Sequence, residues 1–541
     1  MRTAARSLGA AVLALALVAP PAHGAWFRDV TAAWGLGFRH HNGSSGRRYM
    51  PETLGGGVVV LDYDLDGDWD VFFADGGPLP GDPGTASRSQ LWRNDGGGRF
   101  ADVTGRAGLE IGGYLNGGTA GDVDGDGDPD LYLTALGANA LWRNQGDGSF
   151  VDVTAVAGVG DEGWSASAAF ADVDLDGDAD LYVADYVDFT VATHKECRSN
   201  GIEGYCMPDA YGAVRDRFYV NRGDGTFRDA TEAAGLATAR ALPGLGVAIA
   251  DLTDDGLPDI VVANDSQPNY LFRNRGDGTF VETGLVAGLA YGEGGEPEAS
   301  MGIAVGDVEG DGDQDLVMTH FELETNALYA HLGGGLFRDM RFPAGIAEGS
   351  YPSLSFGVVL ADLDQDGDLD LVTANGHIQD NAARIHERSS FPQRNQLWEN
   401  LGAGKFEESA ASGFEAVRVS RGLAAADLDG DGDLELVFVN NGGVAEVYEG
   451  LAAGAWMQLD FGAATREAGA VGIRVDLAAA PGPPGPQRRD LVAGGSYGSR
   501  SAPALHFGLG GAAAARLDVR LPGGGRRTYR DVPARRRLRL P

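Results

Sequence analysis

Short apolar runs recur along this chain in a fixed order. A strand of small, apolar residues, such as GGTAG, SAAFA, GVAIA or FGVVLA, leads into an acidic loop. A second apolar run follows each loop: VFFA, LYLT, LYVA, IVVA, LVMT, LVTA and LVFV. Next comes an apolar strand, a glycine-rich turn and another strand, as in LWRNDGGGRFADVT, LWRNQGDGSFVDVT and FYVNRGDGTFRDAT, which is the pattern of a β-hairpin. Each unit therefore predicts about four strands.

The acidic loop occurs seven times: DYDLDGDWD (62–70), DVDGDGDPD (122–130), DVDLDGDAD (172–180), DLTDDGLPD (251–259), DVEGDGDQD (307–315), DLDQDGDLD (362–370) and DLDGDGDLE (427–435). Successive loops start 60, 50, 79, 56, 55 and 65 residues apart, and the longest gap marks an insertion at 185–218. Periods of this size indicate a solenoid or a propeller. Seven four-stranded units predict an all-β fold, a seven-bladed β-propeller over 26–455, with a small β-rich domain at 456–541. A linear β-solenoid is the alternative, but its coils are usually much shorter and need capping units.

Acidic side chains fall at loop positions 1, 3, 5 and 9, with glycine at 6. Oxygens so spaced on a tightly curved segment converge on one point. A set of hard, mostly anionic oxygens suits Ca²⁺, and glycine permits the sharp turn. The candidate metal residues are Asp62, Asp64, Asp66, Asp68 and Asp70 in the first loop, and Asp122, Asp124, Asp126, Asp128 and Asp130 in the second. The third offers Asp172, Asp174, Asp176, Asp178 and Asp180; the fourth Asp251, Thr253, Asp255 and Asp259. The fifth supplies Asp307, Glu309, Asp311, Asp313 and Asp315, and the sixth Asp362, Asp364, Asp366, Asp368 and Asp370. Asp427, Asp429, Asp431, Asp433 and Glu435 complete the set. Six or seven calcium ions are expected. The fourth loop is the weakest, because Thr253 replaces an acid and Asp254 points by parity away from the cluster. An EF-hand would need a bidentate Glu at position 12, where this chain has Phe73, Leu133, Val183, Val262, Met318, Thr373 and Phe438. The loops therefore belong to β-hairpins.

The formal charge of −36 excludes nucleic acid and anionic membranes as general partners and favours cations. Arg2 and Arg6, the run LGAAVLALALVA and the small residues Ala22 and Gly24 read as a cleaved export signal over 1–24. No later stretch reaches membrane-spanning length. Export to the periplasm, cell surface or medium is expected, and there the pair Cys197 and Cys206 is read as a disulfide.

SFGVVLADLDQDGDLDLV (355–372) resembles an FG-GAP/VCBS repeat, the calcium-binding blade also found in the integrin α-subunit head. GAVGIRVDL…GGSYGSRSAPALHFGLGGAAAARLDVRLPGG (469–524) resembles an ASPIC/UnbV domain, interrupted by the Pro/Gly-rich APGPPGPQRRD, read as an extended hairpin loop. Together they resemble the cartilage acidic protein family and its bacterial relatives. The resemblance implies an exported calcium-binding propeller with a small β-rich appendage, and little about activity.

Other features are weighed against bland readings. RGD at 222–224 and 275–277 sits where sister units carry NDGGG or HLGGG, so it reads as turn chemistry. His40, His320 and His377 are the weak catalytic candidates; an acid–base site at the channel would require them to converge with a carboxylate. The tail RRTYRDVPARRRLRLP is basic against an acidic body and reads as a solvated final strand, with docking on the propeller or on an anionic envelope surface as the alternative. The expected function is a monomeric protein- or glycan-binding module, with the segments 185–218 and 376–396 decorating its binding face. A hydrolase, lyase or cyclase at the channel, and a structural envelope protein, are the alternatives.

Overall fold

A computed structural model describes residues 24–79, 88–461, 471–480 and 484–540. The export signal read at 1–24 lies outside them, apart from Gly24. The fold is all-β. Each repeat forms a four-stranded antiparallel sheet; the first comprises Val58–Leu61, Asp70–Phe73, Gln90–Asn94 and Phe100–Asp102. The innermost strands Val58–Leu61, Tyr114–Gly121, Glu162–Ala171, Gly244–Ala250, Ile303–Gly306, Ser355–Ala361 and Ser420–Ala426 touch one another in sequence. The last also touches the first, so the ring closes as a propeller and a linear solenoid is excluded. Closure brings in the chain's beginning: Phe27–Asp29 pairs with Glu446–Gly450 as the outer strand of the seventh sheet. It stands where the other blades have the second strand of their hairpin, because after Glu446–Gly450 the chain passes into Ala455–Asp460 of the C-terminal unit.

The apolar runs after the acidic loops are buried along both faces, because each blade is sandwiched between two others. Small inner-strand residues are needed where blades crowd together. A Cβ on Gly121, for instance, would lie 3.1 Å from the Phe170 ring.

The C-terminal unit is a sandwich. One sheet orders Leu505–Gly510, Ala455–Asp460 and Arg536–Arg539; the other orders Gln487–Asp490, Arg474–Ala480, Ala514–Arg520 and Arg526–Pro533. Met457, Leu459, Val475, Leu477, Phe507, Leu517 and Val519 fill the space between them. The Pro/Gly interruption does connect a hairpin, between Arg474–Ala480 and Gln487–Asp490.

From this sandwich the segment 491–504 enters the central channel. It meets every blade in turn. Ser499 Oγ accepts from Val58 N–H, Gly498 O from Gly118 N–H and Ser167 Oγ from Gly498 N–H. Gly495 N–H donates to Val247 O, and Ser496 N–H to Ile303 O. Ser496 Oγ accepts from Val358 N–H and donates to Leu423 O. The plug thus satisfies backbone groups that would otherwise line the channel unpaired. The fit requires glycine: a Cβ on Gly57 or Gly117 would fall 2.0 or 2.1 Å from Gly498 O. Tyr497, at the tip, is buried among Trp164, Tyr186, Met301 and Phe356.

The opposite face is also closed. The insertion, stapled by the Cys197–Cys206 disulfide, crosses the ring to the 376–396 segment. Gln379 and Tyr205 exchange two hydrogen bonds, and Arg48 binds both Asp380 and Glu203 O. The two long departures from the repeat therefore lie on one face and build it jointly.

Candidate functional site

Each acidic loop joins an innermost strand to the second strand of its blade. Three carboxylate oxygens come within 4.8 Å of one another in Asp62/Asp64/Asp66, Asp122/Asp124/Asp130, Asp172/Asp174/Asp176 and Asp362/Asp364/Asp370. Positions 1, 3, 5 and 9 are thus the ones drawn together. The position-7 carboxylates lie elsewhere: Asp128 and Asp178 press on the glycine turns at Gly146 and Gly223, where a Cβ would come within 2.6 Å of each.

The carboxylate at position 9 has a second task. Asp70 Oδ1 accepts from Asn94 N–H at 2.8 Å and Oδ2 from Tyr63 N–H at 3.0 Å. Asp130 does the same with Asn144 and Val123, and Asp315 with His331 and Val308. It anchors the loop to the third strand of its own blade. Burial pushes the carboxyls of Asp130 and Asp180 up to about 8, and those of Asp122, Asp172, Asp362 and Asp427 up to about 6. Asp364 rises to about 7 through burial and then through its neighbours Asp366 and Asp362. Oδ1 of Asp64, Asp124, Asp362 and Asp433 is buried with no hydrogen-bond partner. Orphaned, clustered anionic oxygens of this kind could hold a hard divalent cation.

The fourth loop differs. Thr253 stands at position 3, and the Asp254 carboxylate projects towards the next blade, 3.6 Å from Nδ1 of His331. Arg474 of the C-terminal unit lies 3.9 Å from Asp251, placing a fixed positive charge beside the loop.

Sequence reasoning missed the asparagine that ends the third strand of five units. Asn144 Nδ2 donates to Pro129 O in its own loop and to Tyr63 O in the loop before it. Asn94, Asn221, Asn274 and Asn400 repeat the bridge, each tying its loop to a loop of another blade. The signal was present in WRN, YVN, FRN and WEN, always just before the glycine turn. His331 and Gly450 occupy this position in the fifth and seventh units.

The C-terminal unit also reads the loops, through the carbonyl of the position-6 glycine. Arg537 donates to Gly67 O, Arg488 to Gly312 O, and Arg489 to Gly367 O at 2.9 Å. Gly432 O accepts from His506 and Gln365. These contacts were not legible in the sequence, because they join residues far apart in the chain.

The three histidines do not converge. His40 Nδ1 accepts from Gly442 N–H; His320 bonds Ser300 Oγ and Thr325 O; His377 Nδ1 accepts from Gln379 N–H, and its Nε2 lies 3.2 Å from Glu322. Burial holds His40 down to about 3 and His320 to about 4. The plug fills the channel, and the cavity of about 220 Å³ left at its mouth is lined by Arg489, Arg500 and His506 rather than by these three. In the RGD turns, Asp224 and Asp277 accept from Thr226 and Thr279, as turn chemistry requires.

Residues 62–133, 122–183, 207–262, 251–318, 307–373 and 385–438 match the model of the FG-GAP-like repeat, and 464–541 match that of ASPIC and UnbV. Cartilage acidic protein 1 of Homo sapiens is 29% identical over 319 residues, 56% of this chain and 44% of that protein. That of Xenopus tropicalis is 28% identical over 312 residues, 54% and 44%. The chain spans less than half the length of these relatives. Among solved structures, an Agrocybe aegerita lectin recognising non-reducing terminal N-acetylglucosamine is 19% identical, with a TM-score of 0.41 over 71% of this chain and 88% of its own. Rhamnogalacturonan lyase PL11 of Bacillus licheniformis is 14% identical, with a TM-score of 0.33 over 90% and 91%. Neither likeness is close enough to transfer a ligand. No helix among the described residues is long and apolar enough to cross a membrane.

Proposed function

Because the chain belongs to the FG-GAP-like repeat family and ends in an ASPIC and UnbV domain, we propose that it is an exported binding protein whose blades are held by calcium. FG-GAP repeat proteins typically act in binding and adhesion. The observation that carries the calcium reading is the set of buried, unpartnered carboxylate oxygens at Asp64, Asp124 and Asp362, which stand at positions 1 and 3 of their loops. The carboxylates at positions 1, 3 and 5 would hold the ion, with position 9 fixing the loop. Calcium, when bound, supplies the positive charge that lets these buried acids stay ionised together.

Recognition of a protein or glycan partner is assigned to the face built by 185–218, 376–396 and the segment around Arg48. Those segments are cross-linked to one another, so the surface is preorganised. A plugged channel and scattered histidines weigh against an enzyme there. The test is a glycan and protein array probed with the mature chain in calcium and in chelator. Capture lost in chelator, and lost on trimming 376–396, supports the reading. Equal capture by the trimmed chain overturns it.

A further inference from the structure

The outer edge of the C-terminal sandwich carries a basic patch that the calcium loops do not use. Strands Ala514–Arg520 and Arg526–Pro533 pair so that Arg520 stands directly opposite Arg526. Val519, Leu517 and Ala515 point into the core, so Arg516, Asp518 and Arg520 share the outward face. Thr528 reaches Asp518 from the neighbouring strand at 2.6 Å, which puts Arg526 and Thr528 on that face too. Arg530 acts electrostatically on the same Asp518. Four arginines thus share this edge with Asp518, which Arg516 already binds at 2.9 Å. Among the described residues Arg520 pairs with Asp476 at 3.6 Å, and Arg488 holds that carboxylate more closely, at 2.7 Å.

Like charges directly opposite on a sheet are destabilising, so the Arg520–Arg526 pair is a cost that folding alone does not explain. Arg526 and Arg530 are three strand spacings, about 14 Å, from the strand that lays Arg488 and Arg489 on the acidic loops, and Arg516 and Arg520 are two, about 10 Å. Both separations exceed the roughly 8 Å over which exposed charges act at physiological salt, so the acidic propeller does not neutralise the patch. Among the described residues, no large apolar side chain of 455–540 is exposed. A membrane site would present apolar residues for insertion, a protein interface an apolar centre, and a single-stranded nucleic acid site aromatic platforms. A flat array of guanidinium forks suits a polymer that carries repeated carboxylates or sulfates.

We propose that the Arg516/Arg520/Arg526/Arg530 edge binds a linear anionic polysaccharide. This surface is distinct from the recognition face above and needs no ion in the loops for its contacts. The experiment measures binding of the mature chain, in calcium, to a sulfated polysaccharide, a polyuronate, neutral dextran, duplex DNA and anionic vesicles. Binding to one or both anionic polysaccharides is expected, with none to dextran and weaker binding to DNA and vesicles. The triple variant Arg516→Ser, Arg526→Ser, Arg530→Ser should lose roughly tenfold or more, and its log–log salt slope should shrink by about two to three. An unchanged melting temperature shows that the variant folds, and Arg537→Ala, which touches the propeller instead, should bind the polysaccharide normally. Wild-type affinity in the triple variant overturns the proposal. So does DNA or vesicle binding as tight as the polysaccharide's, or equal loss in Arg537→Ala.

Discussion

The acidic loops of blades 2 and 7 share one motif, DVDGDGDPD and DLDGDGDLE, yet meet different surroundings. In blade 7 the position-6 glycine, Gly432, lies under Trp456 and offers its carbonyl to His506 and Gln365. In blade 2 the matching Gly127 faces open space. Both adopt positive φ, +96° and +91°. The loop's shape is therefore local, whereas its role depends on what docks on it: blade 7 helps seat the C-terminal unit, and blade 2 is tied only to the neighbouring blades, through Asn144 and Asn221.

The sharpest way to break this comparison is a pair of identical substitutions. A Cβ on Gly432 would sit 1.6 Å from the Trp456 ring, so Gly432→Ala should cost about 4 kcal/mol or more and displace the C-terminal unit. Gly127→Ala meets no neighbour and should cost only about 1–2 kcal/mol of backbone strain. Denaturant midpoints of the two variants give the difference, and equal costs would remove the distinction.

Asn144→Ala comes next. It leaves the buried carbonyls of Tyr63 and Pro129 without their donor, at about 2–3 kcal/mol, and loosens the junction of blades 1 and 2. Hydrogen exchange localised to those two blades is the check. Arg537→Ala should have the smallest effect of the substitutions, about 1 kcal/mol. It loses one bond to Gly67 O, its stacking on Trp69 and a partly exposed ion pair with Asp460 at 3.6 Å, while leaving the other docking contacts in place.

pH should separate the chelated from the loaded protein. The buried carboxyls of Asp130 and Asp180 titrate near 8 rather than near 3.8. Between those values the folded, ion-free chain holds protons that the unfolded chain has released. Its stability must then fall as pH rises from about 4 to 8. Calcium needs the ionised form, so its affinity should rise over the same range. Melting curves at pH 5 and pH 8, each with calcium and with chelator, test the sign. A chelated protein more stable at pH 8 would contradict it.

Much of this was legible in the chain. The four-strand unit, the seven loops, the disulfide and the RGD turns follow from local pattern, which a single segment carries. The ring's closure by Phe27–Asp29 was not, because that strand is too short to announce its partner more than 400 residues away. The plug at 491–504 reads as a glycine- and serine-rich loop; only the unpaired inner edges of the blades give its backbone a destination. Arg421 was missed for the same reason. It is buried over the Phe356 ring and donates to the carbonyls of Thr53, Gly376 and His377, groups from two distant segments.

The most direct test of the account is a count of calcium ions on the mature protein, read with its melting temperature before and after chelation. Six or seven ions, with a fall of roughly 10 °C or more on chelation, is the expected result. One or two ions, with melting unchanged, would contradict it and make most of these loops turns without metal.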